Sequence, residues 1–192
     1  ISGSCAEYKH KSGIKKESHS LDYKNFFSGS KNLLFVYAKN LCQKKNIKLA
    51  WFRIFYAYGI NQRKNSFIPT IINSINKKKG IYIKNPDLKL DYINVIDVAN
   101  IFFKILHINF KSGVYNLGTG KSSSLIYILN KILSIIKIKD KKTFLKNLSL
   151  GNKRNGKEFV ACMRKSKKTF KIKNFRSIQY SLKEIINFEY KR

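Results

Sequence analysis

Apolar positions at 26, 27, 33, 34, 37, 38 and 41 recur at helical spacing, which predicts a helix over Phe26–Gln43. The block that follows, Ile47–Tyr56 (IKLAWFRIFY), is short, dense and rich in aromatic residues. Such a run predicts a strand covered on both faces. Ile1–Ser4 reads as the end of another buried strand entering a loop, and His10–Tyr23 is polar and loop-like. Helix followed by strand over short connections is half of a crossover unit, so a parallel α/β sheet is expected.

The pattern continues with a helix opening at Ser66-Phe-Ile-Pro69 and stopping at Lys77-Lys-Lys-Gly80, where basic residues and glycine end it. Short strands are predicted at Ile81–Ile83, Asp91–Val95 and Gly113–Leu117. Between them a helix spans Asp97–Leu106 with Asp97 as its cap, and another covers Ser122–Ile136 with serines at its start. Beyond Asp140 the pattern weakens: Lys146–Lys157 reads as an exposed loop, and Lys165–Phe170 and Ser181–Phe188 as short helices.

Composition narrows the class. A chain of 192 residues with 43% hydrophobic content suits an ordinary folded core, and it contains no apolar run long enough to span a bilayer. Ile1 is not Met and no secretion signal follows it, so the chain reads as cut from something longer. Cys5, Cys42 and Cys162 are widely spaced and odd in number, which fits reduced thiols in the cytoplasm better than zinc or disulfides. No residue set points to a metal. The net charge of +30 invites a nucleic-acid partner, but there are 34 Lys to six Arg, scattered along the whole chain. Non-specific, salt-sensitive affinity for nucleic acid is the expectation, not dedicated recognition.

The chemistry lies in an ordered set of short motifs. Ser4 stands four residues before Tyr8; then come Phe27-Ser-Gly-Ser-Lys31, Arg53-Ile-Phe-Tyr-Ala-Tyr58-Gly59, Asp91-Tyr-Ile-Asn-Val-Ile-Asp97-Val-Ala99 and Tyr115-Asn-Leu-Gly-Thr-Gly120. Their order and spacing resemble the extended short-chain dehydrogenase/reductases, the NAD-dependent nucleotide-sugar epimerases and dehydratases. The resemblance covers Ile1 to about Ile136, and Asp91–Ala99 is its most specific part. It implies an α/β fold, an incomplete Rossmann-like parallel sheet plus a small mixed α/β substrate-binding region. Residues 1–60 would form the C-terminal half of the nucleotide-binding domain. Residues 61–192 would be mostly substrate-binding, with about 91–106 returning to the first domain.

The same resemblance implies hydride transfer at a sugar carbon, with NAD or NADP as carrier, in 4-epimerisation, 4,6-dehydration or 4-keto reduction of a nucleotide sugar. A Ser or Thr, a Tyr and a Lys carry that chemistry in the family. Ser4 fills the first slot and Lys31 the last, but Phe27 occupies the Tyr slot and has no proton to exchange. Tyr58 and Gly59, with Lys31, fall at cofactor-facing positions; Ser4, Tyr56, Lys89 and Asn116 fall at substrate-facing ones. Tyr56 replaces the family's Asn. Leu90 stands where many members place a diphosphate-binding Arg, with Lys89 beside it as a point charge. The Gly-rich nucleotide loop has no counterpart, and Gly118-Thr-Gly120 reads as a tight turn. Tyr127-Ile-Leu-Asn-Lys131, a literal Tyr-x-x-x-Lys, is taken as coincidence. Homodimerisation through the 26–43 helix is a further implication. The rival reading is a non-catalytic, degenerate epimerase that serves as a nucleotide-sugar-binding or scaffold subunit.

Overall fold

A computed structural model describes residues 1–9, 12–136, 141–151 and 156–190. The chain opens with strand β1 (Ser2–Ser4), a 3-10 turn (Cys5–Glu7), strand β2 (Gly13–Lys15) and helix α1 (Phe26–Lys44). Strands β3 (Ala50–Ile54) and β4 (Tyr56–Tyr58) precede helix α2 (Phe67–Asn76) and strands β5 (Ile81–Ile83), β6 (Lys89–Leu90) and β7 (Tyr92–Asn94). Helix α3 (Val95–Ile105), strands β8 (Gly113–Leu117) and β9 (Ser123–Ser124), and helices α4 (Leu125–Ile135) and α5 (Lys141–Lys146) come next. Strands β10 (Leu148–Leu150) and β11 (Glu158–Ala161) and helices α6 (Arg164–Phe170) and α7 (Ile178–Tyr190) complete the described order.

The parallel α/β arrangement is the one the helix–strand alternation predicts. β3 lies between β1 and β8, all parallel, with Ile54 opposite both Ser4 and Leu117. Every residue of β3 from Ala50 to Arg53 is buried, Ala50, Trp51 and Phe52 as an apolar run requires and Arg53 through its pairing with Glu7. The predicted Ile47–Tyr56 strand does not continue as one element. It breaks at Phe55, because β4 leaves this sheet to pair in parallel with β7. A third sheet runs β2-β11-β6-β9, in which only the β6–β9 pairing is antiparallel, and β5 pairs in parallel with β10.

Two further expectations are corrected. Asp97 does not cap α3; Asn94 does, its side chain accepting the Ile96 N–H at 2.8 Å. Asp97 instead sits in the first turn and accepts the Arg176 N–H at 2.8 Å. The 146–157 segment is not all loop, since Leu148–Leu150 forms β10; residues 152–155 lie outside the described set, as do residues 10 and 11 of the predicted N-terminal loop.

Burial of apolar side chains, worth about 1.5–3 kcal/mol each, holds these layers together. Ile68, Ile71 and Ile72 of α2 pack with Ile128 and Ile132 of α4 and with Leu182 and Ile185 of α7. On the main sheet the Phe52 ring meets Phe102 at 5.1 Å, Phe170 at 5.3 Å and Tyr115 at 5.9 Å. No helix among the described residues is long and apolar enough to cross a membrane.

Candidate functional site

β1 ends at Ser4, at the carboxyl edge of the parallel sheet, where open α/β sheets bind ligands. Ser4 caps the turn that follows: its Oγ accepts the Ala6 N–H at 3.2 Å and its own N–H donates to Glu7 Oε1 at 2.7 Å. Accepting that bond leaves the hydroxyl its own hydrogen to donate. Helix α1 is fixed alongside. Asn25 caps it by accepting the Ser28 N–H at 2.9 Å, and buried Asn32 donates to the Asp22 carbonyl at 2.9 Å.

Lys31 reaches from α1 to β1, where its Nζ donates to the Ser2 carbonyl at 3.1 Å. The ammonium is thereby held two residues from Ser4 with two further N–H groups to offer. Phe27 precedes Lys31 by one helical turn on the same face of α1 and is 53% exposed. Lys31 thus meets the first residue of β1, of which Ser4 is the last, and an apolar ring with no ionisable group stands one turn ahead of Lys31.

Glu7, which no periodic pattern marks, anchors this corner. It is fully buried and accepts from Trp51 Nε1 at 3.1 Å and from Arg53 Nε at 2.7 Å, besides the Ser4 N–H. Arg53 also donates to the Glu17 carbonyl at 3.1 Å and stacks 4.6 Å from the Tyr8 ring centroid. Burial works against the guanidinium charge, but Tyr8 and Glu7 outweigh it, so the Arg53 pKa is held above its ordinary value. Tyr8, also inaccessible, is pushed up to about 12 by burial, and its hydroxyl donates to Asn116 Oδ1 at 2.6 Å.

Asn116, placed at the substrate by the resemblance, has a different task in the fold. It is fully buried, and its Nδ2 donates to the Lys15 carbonyl at 2.7 Å while its Oδ1 serves Tyr8. Both polar ends of the side chain tie β8 to β2 and to the turn after β1. Tyr56, at the start of β4, is partly open; its ring lies 6.1 Å from Tyr92 and 6.4 Å from Phe159, and burial pushes its phenol up to about 12. Tyr58 is buried, its phenol likewise raised to about 12 by burial although bonded to Ser181. Gly59 is set by packing, because a Cβ there would lie 2.5 Å from Val95 Cγ1. Lys89 is exposed on β6, in a different sheet from Ser4, and its neighbour Leu90 is buried.

Asp91 is a joint rather than a catalytic acid. Its carboxylate accepts from the Thr119 N–H at 2.7 Å, the Gly120 N–H at 2.9 Å and the Ala161 N–H at 3.1 Å, and from the Thr119 hydroxyl at 2.6 Å. Burial raises its pKa while those donors oppose the rise. These bonds occupy the Thr119 and Gly120 N–H groups, and the Gly118 N–H donates to Met163 Sδ at 3.2 Å, so the turn does not offer them to a phosphate. Tyr127 and Lys131 lie on α4, the ammonium 5.5 Å from the ring centroid of its own helix neighbour.

A model of the NAD dependent epimerase/dehydratase family matches residues 1–118. The chain belongs to that family. Among solved structures, a UDP-N-acetylglucosamine 4-epimerase from Methanobrevibacter ruminantium M1 in complex with UDP-N-acetylmuramic acid superposes with a TM-score of 0.84 at 18% identity, covering 100% of this chain and 62% of that one. A dTDP-glucose 4,6-dehydratase from Bacillus anthracis in complex with NAD gives 0.82 at 17% identity, over 99% and 60% of the two chains. A Tyr-to-Phe variant of a UDP-glucuronic acid 4-epimerase from Bacillus cereus, in complex with UDP-4-deoxy-4-fluoro-glucuronic acid and NAD, gives 0.83 at 18% identity over 99% and 60%. At these identities the likeness establishes the epimerase/dehydratase fold. The chain spans about 60% of the length of these structures.

Proposed function

We propose that this chain carries the sugar-side chemistry of an NAD(P)-dependent nucleotide-sugar epimerase, dehydratase or 4-keto reductase, with its proton-transfer step disabled at Phe27. The observation that carries the reading is the Lys31–Ser2 bond, which ties an ammonium of α1 to the strand that ends at Ser4. The donors present fit the ribose and nicotinamide end of a dinucleotide: Lys31 retains two N–H groups for ribose hydroxyls, and Ser4 retains a hydroxyl hydrogen for a sugar oxygen. When bound, the nicotinamide supplies hydride exchange at the sugar carbon. Ser4 steadies the charge that develops on the oxygen. Lys31 would lower the pKa of a phenol at position 27, but Phe27 offers none.

Tyr58 has its hydroxyl committed to Ser181, so its backbone and Gly59 are the cofactor-facing parts of that strand end. Tyr56 and exposed Lys89 face the nucleotide sugar in this reading. Residues 1–60 form the nucleotide-binding side, rejoined at about 91–106, and β8 adds its strand to the same sheet. The phosphate-cradling loop of a dinucleotide site is not supplied by Gly118-Thr-Gly120, whose N–H groups serve Asp91 and Met163. The 192-residue chain alone therefore binds NADH weakly. Fluorescence titration tests this, and saturation at micromolar NADH contradicts it.

A second reading is a degenerate subunit that holds a nucleotide sugar or pairs with an active partner. Phe27 together with buried Leu90 at the diphosphate position favours it. A protein that binds nucleotide sugar yet stays inactive after Phe27→Tyr supports this second reading over the first.

A further inference from the structure

Beyond the Ser4–Lys31 corner, a cavity of about 450 Å³ opens between the turn after β8, helix α6 and the stretch leading into α7. Tyr58 and Tyr92 form part of its wall, and Lys121, Lys167, Lys173 and Arg176 add four cationic side chains. Ser4, Phe27, Lys31, Tyr56 and Lys89 take no part in it, and no Asp or Glu lines it. Its volume falls within the range of small-molecule sites, about 300–1,000 Å³.

The charges in this cavity are not balanced from within. Arg176 is engaged, with Nη1 at 3.3 Å from Glu184 Oε2 and Nε at 3.9 Å from Asp97 Oδ1. Among the described residues, Lys121, Lys167 and Lys173 have no carboxylate within ion-pair distance. The nearby carboxylate of Asp91 is taken up by the N–H groups of Thr119, Gly120 and Ala161. Three ammonium groups around one concave space focus positive potential into it. A second cationic hollow, bounded by Lys16, Arg164, Lys165 and Lys168, differs in holding Glu17 in its wall.

The backbone adds to the same field. Helix α7, 13 residues long, begins at this cavity, with Ser177 and Ile178 in the wall. First-turn N–H groups lack intrahelical backbone acceptors and the helix dipole is positive there, although Ser177 Oγ takes the Tyr180 N–H at 3.2 Å and Asp97 the preceding Arg176 N–H at 2.8 Å. Three lysines without a carboxylate at ion-pair distance, beside a helix start whose own arginine is already paired, point to one ligand chemistry. We propose that this cavity is an anion site that takes a small phosphate-bearing molecule. The assignment does not depend on Ser4, Phe27 or Lys31, none of which lines the cavity; Tyr58 is the one cofactor-facing position that it shares.

The test is calorimetric titration of the 192-residue chain with inorganic pyrophosphate at about 150 mM salt, where long-range attraction is screened. Saturable binding at one site per chain is expected, weakened about tenfold or more by Lys121→Glu combined with Lys173→Glu. Lys39→Glu with Lys44→Glu, on α1, changes net charge equally and is expected to leave the affinity within about twofold. Lys121→Gln with Lys173→Gln, checked for an unchanged melting temperature, guards against misfolding and should also weaken binding. Equal loss in both glutamate pairs, or no saturable binding, overturns the proposal and assigns any affinity to the overall charge of +30.

Discussion

Glu7 Oε2 accepts the Arg53 Nε–H at 2.7 Å, with the two side chains 0% and 2% exposed. This buried pair joins the turn after β1 to β3 and so fixes the edge on which Ser4 stands. Glu7→Gln leaves the guanidinium without its counter-charge in the interior. It is expected to cost about 3–5 kcal/mol in a urea unfolding measurement. Replacing both partners by Leu and Met should cost clearly less than the sum of the single changes, because no lone charge remains.

Tyr8, Tyr56 and Tyr58 each have a phenol raised to about 12 by burial. Raised folded-state values mean that the unfolded chain ionises first as pH climbs. The stability these phenols confer is complete below about pH 10 and is lost as pH rises to about 12. Absorbance at 295 nm should show the phenols of Tyr8, Tyr56 and Tyr58 ionising only together with loss of the fold.

Much of the fold was legible because it depends on local pattern. The apolar density of β3 follows from burial of two faces, and the helical rhythm of 26–41 marks α1 although, of its apolar positions, Ala38 is the one that is buried. Features set by distant partners were not legible. Phe55 looks like any residue of the IKLAWFRIFY run, and the break there comes from β4 pairing with β7. Asp97 has the chemistry of a cap, but Asn94 has the position, and Arg176, 79 residues later, claims Asp97. Of the candidate site, motif spacing names Ser4 and Lys31, whose roles stay a proposal, whereas it does not mark Glu7 at all. Its one available signal was that the chain holds only ten acidic residues and one lies between Ser4 and Tyr8.

Asp91 joins β7, the 118–120 turn and β11 through four donors. Asp91→Asn offers a single acceptor oxygen and is expected to destabilise by about 1–3 kcal/mol. Amide hydrogen exchange should accelerate first at Thr119, Gly120 and Ala161. Uniform acceleration across the chain would contradict a local joint.

On α1, Phe26, Leu33 and Tyr37 are exposed to 92%, 68% and 66%, and their spacing puts them on one stripe. A second copy of the chain is the proposed cover for this face. Sedimentation should show a concentration-dependent dimer that Leu33→Asp with Tyr37→Asp returns to monomer. A monomer at all concentrations would remove the dimer proposal.

The most direct measurement concerns position 27. Turnover of nucleotide sugars with NAD should be followed for Phe27→Tyr in a protein that joins this chain to a Gly-rich nucleotide-binding half. A phenol restored beside Lys31 and Ser4 is expected to raise kcat by about 10²–10⁴, the usual worth of a positioned proton-transfer group. Adding Lys31→Met should abolish that gain. Equal turnover with Phe27 and Tyr at this position, or a gain that survives Lys31→Met, would contradict the assignment of Ser4, Phe27 and Lys31 to the catalytic positions.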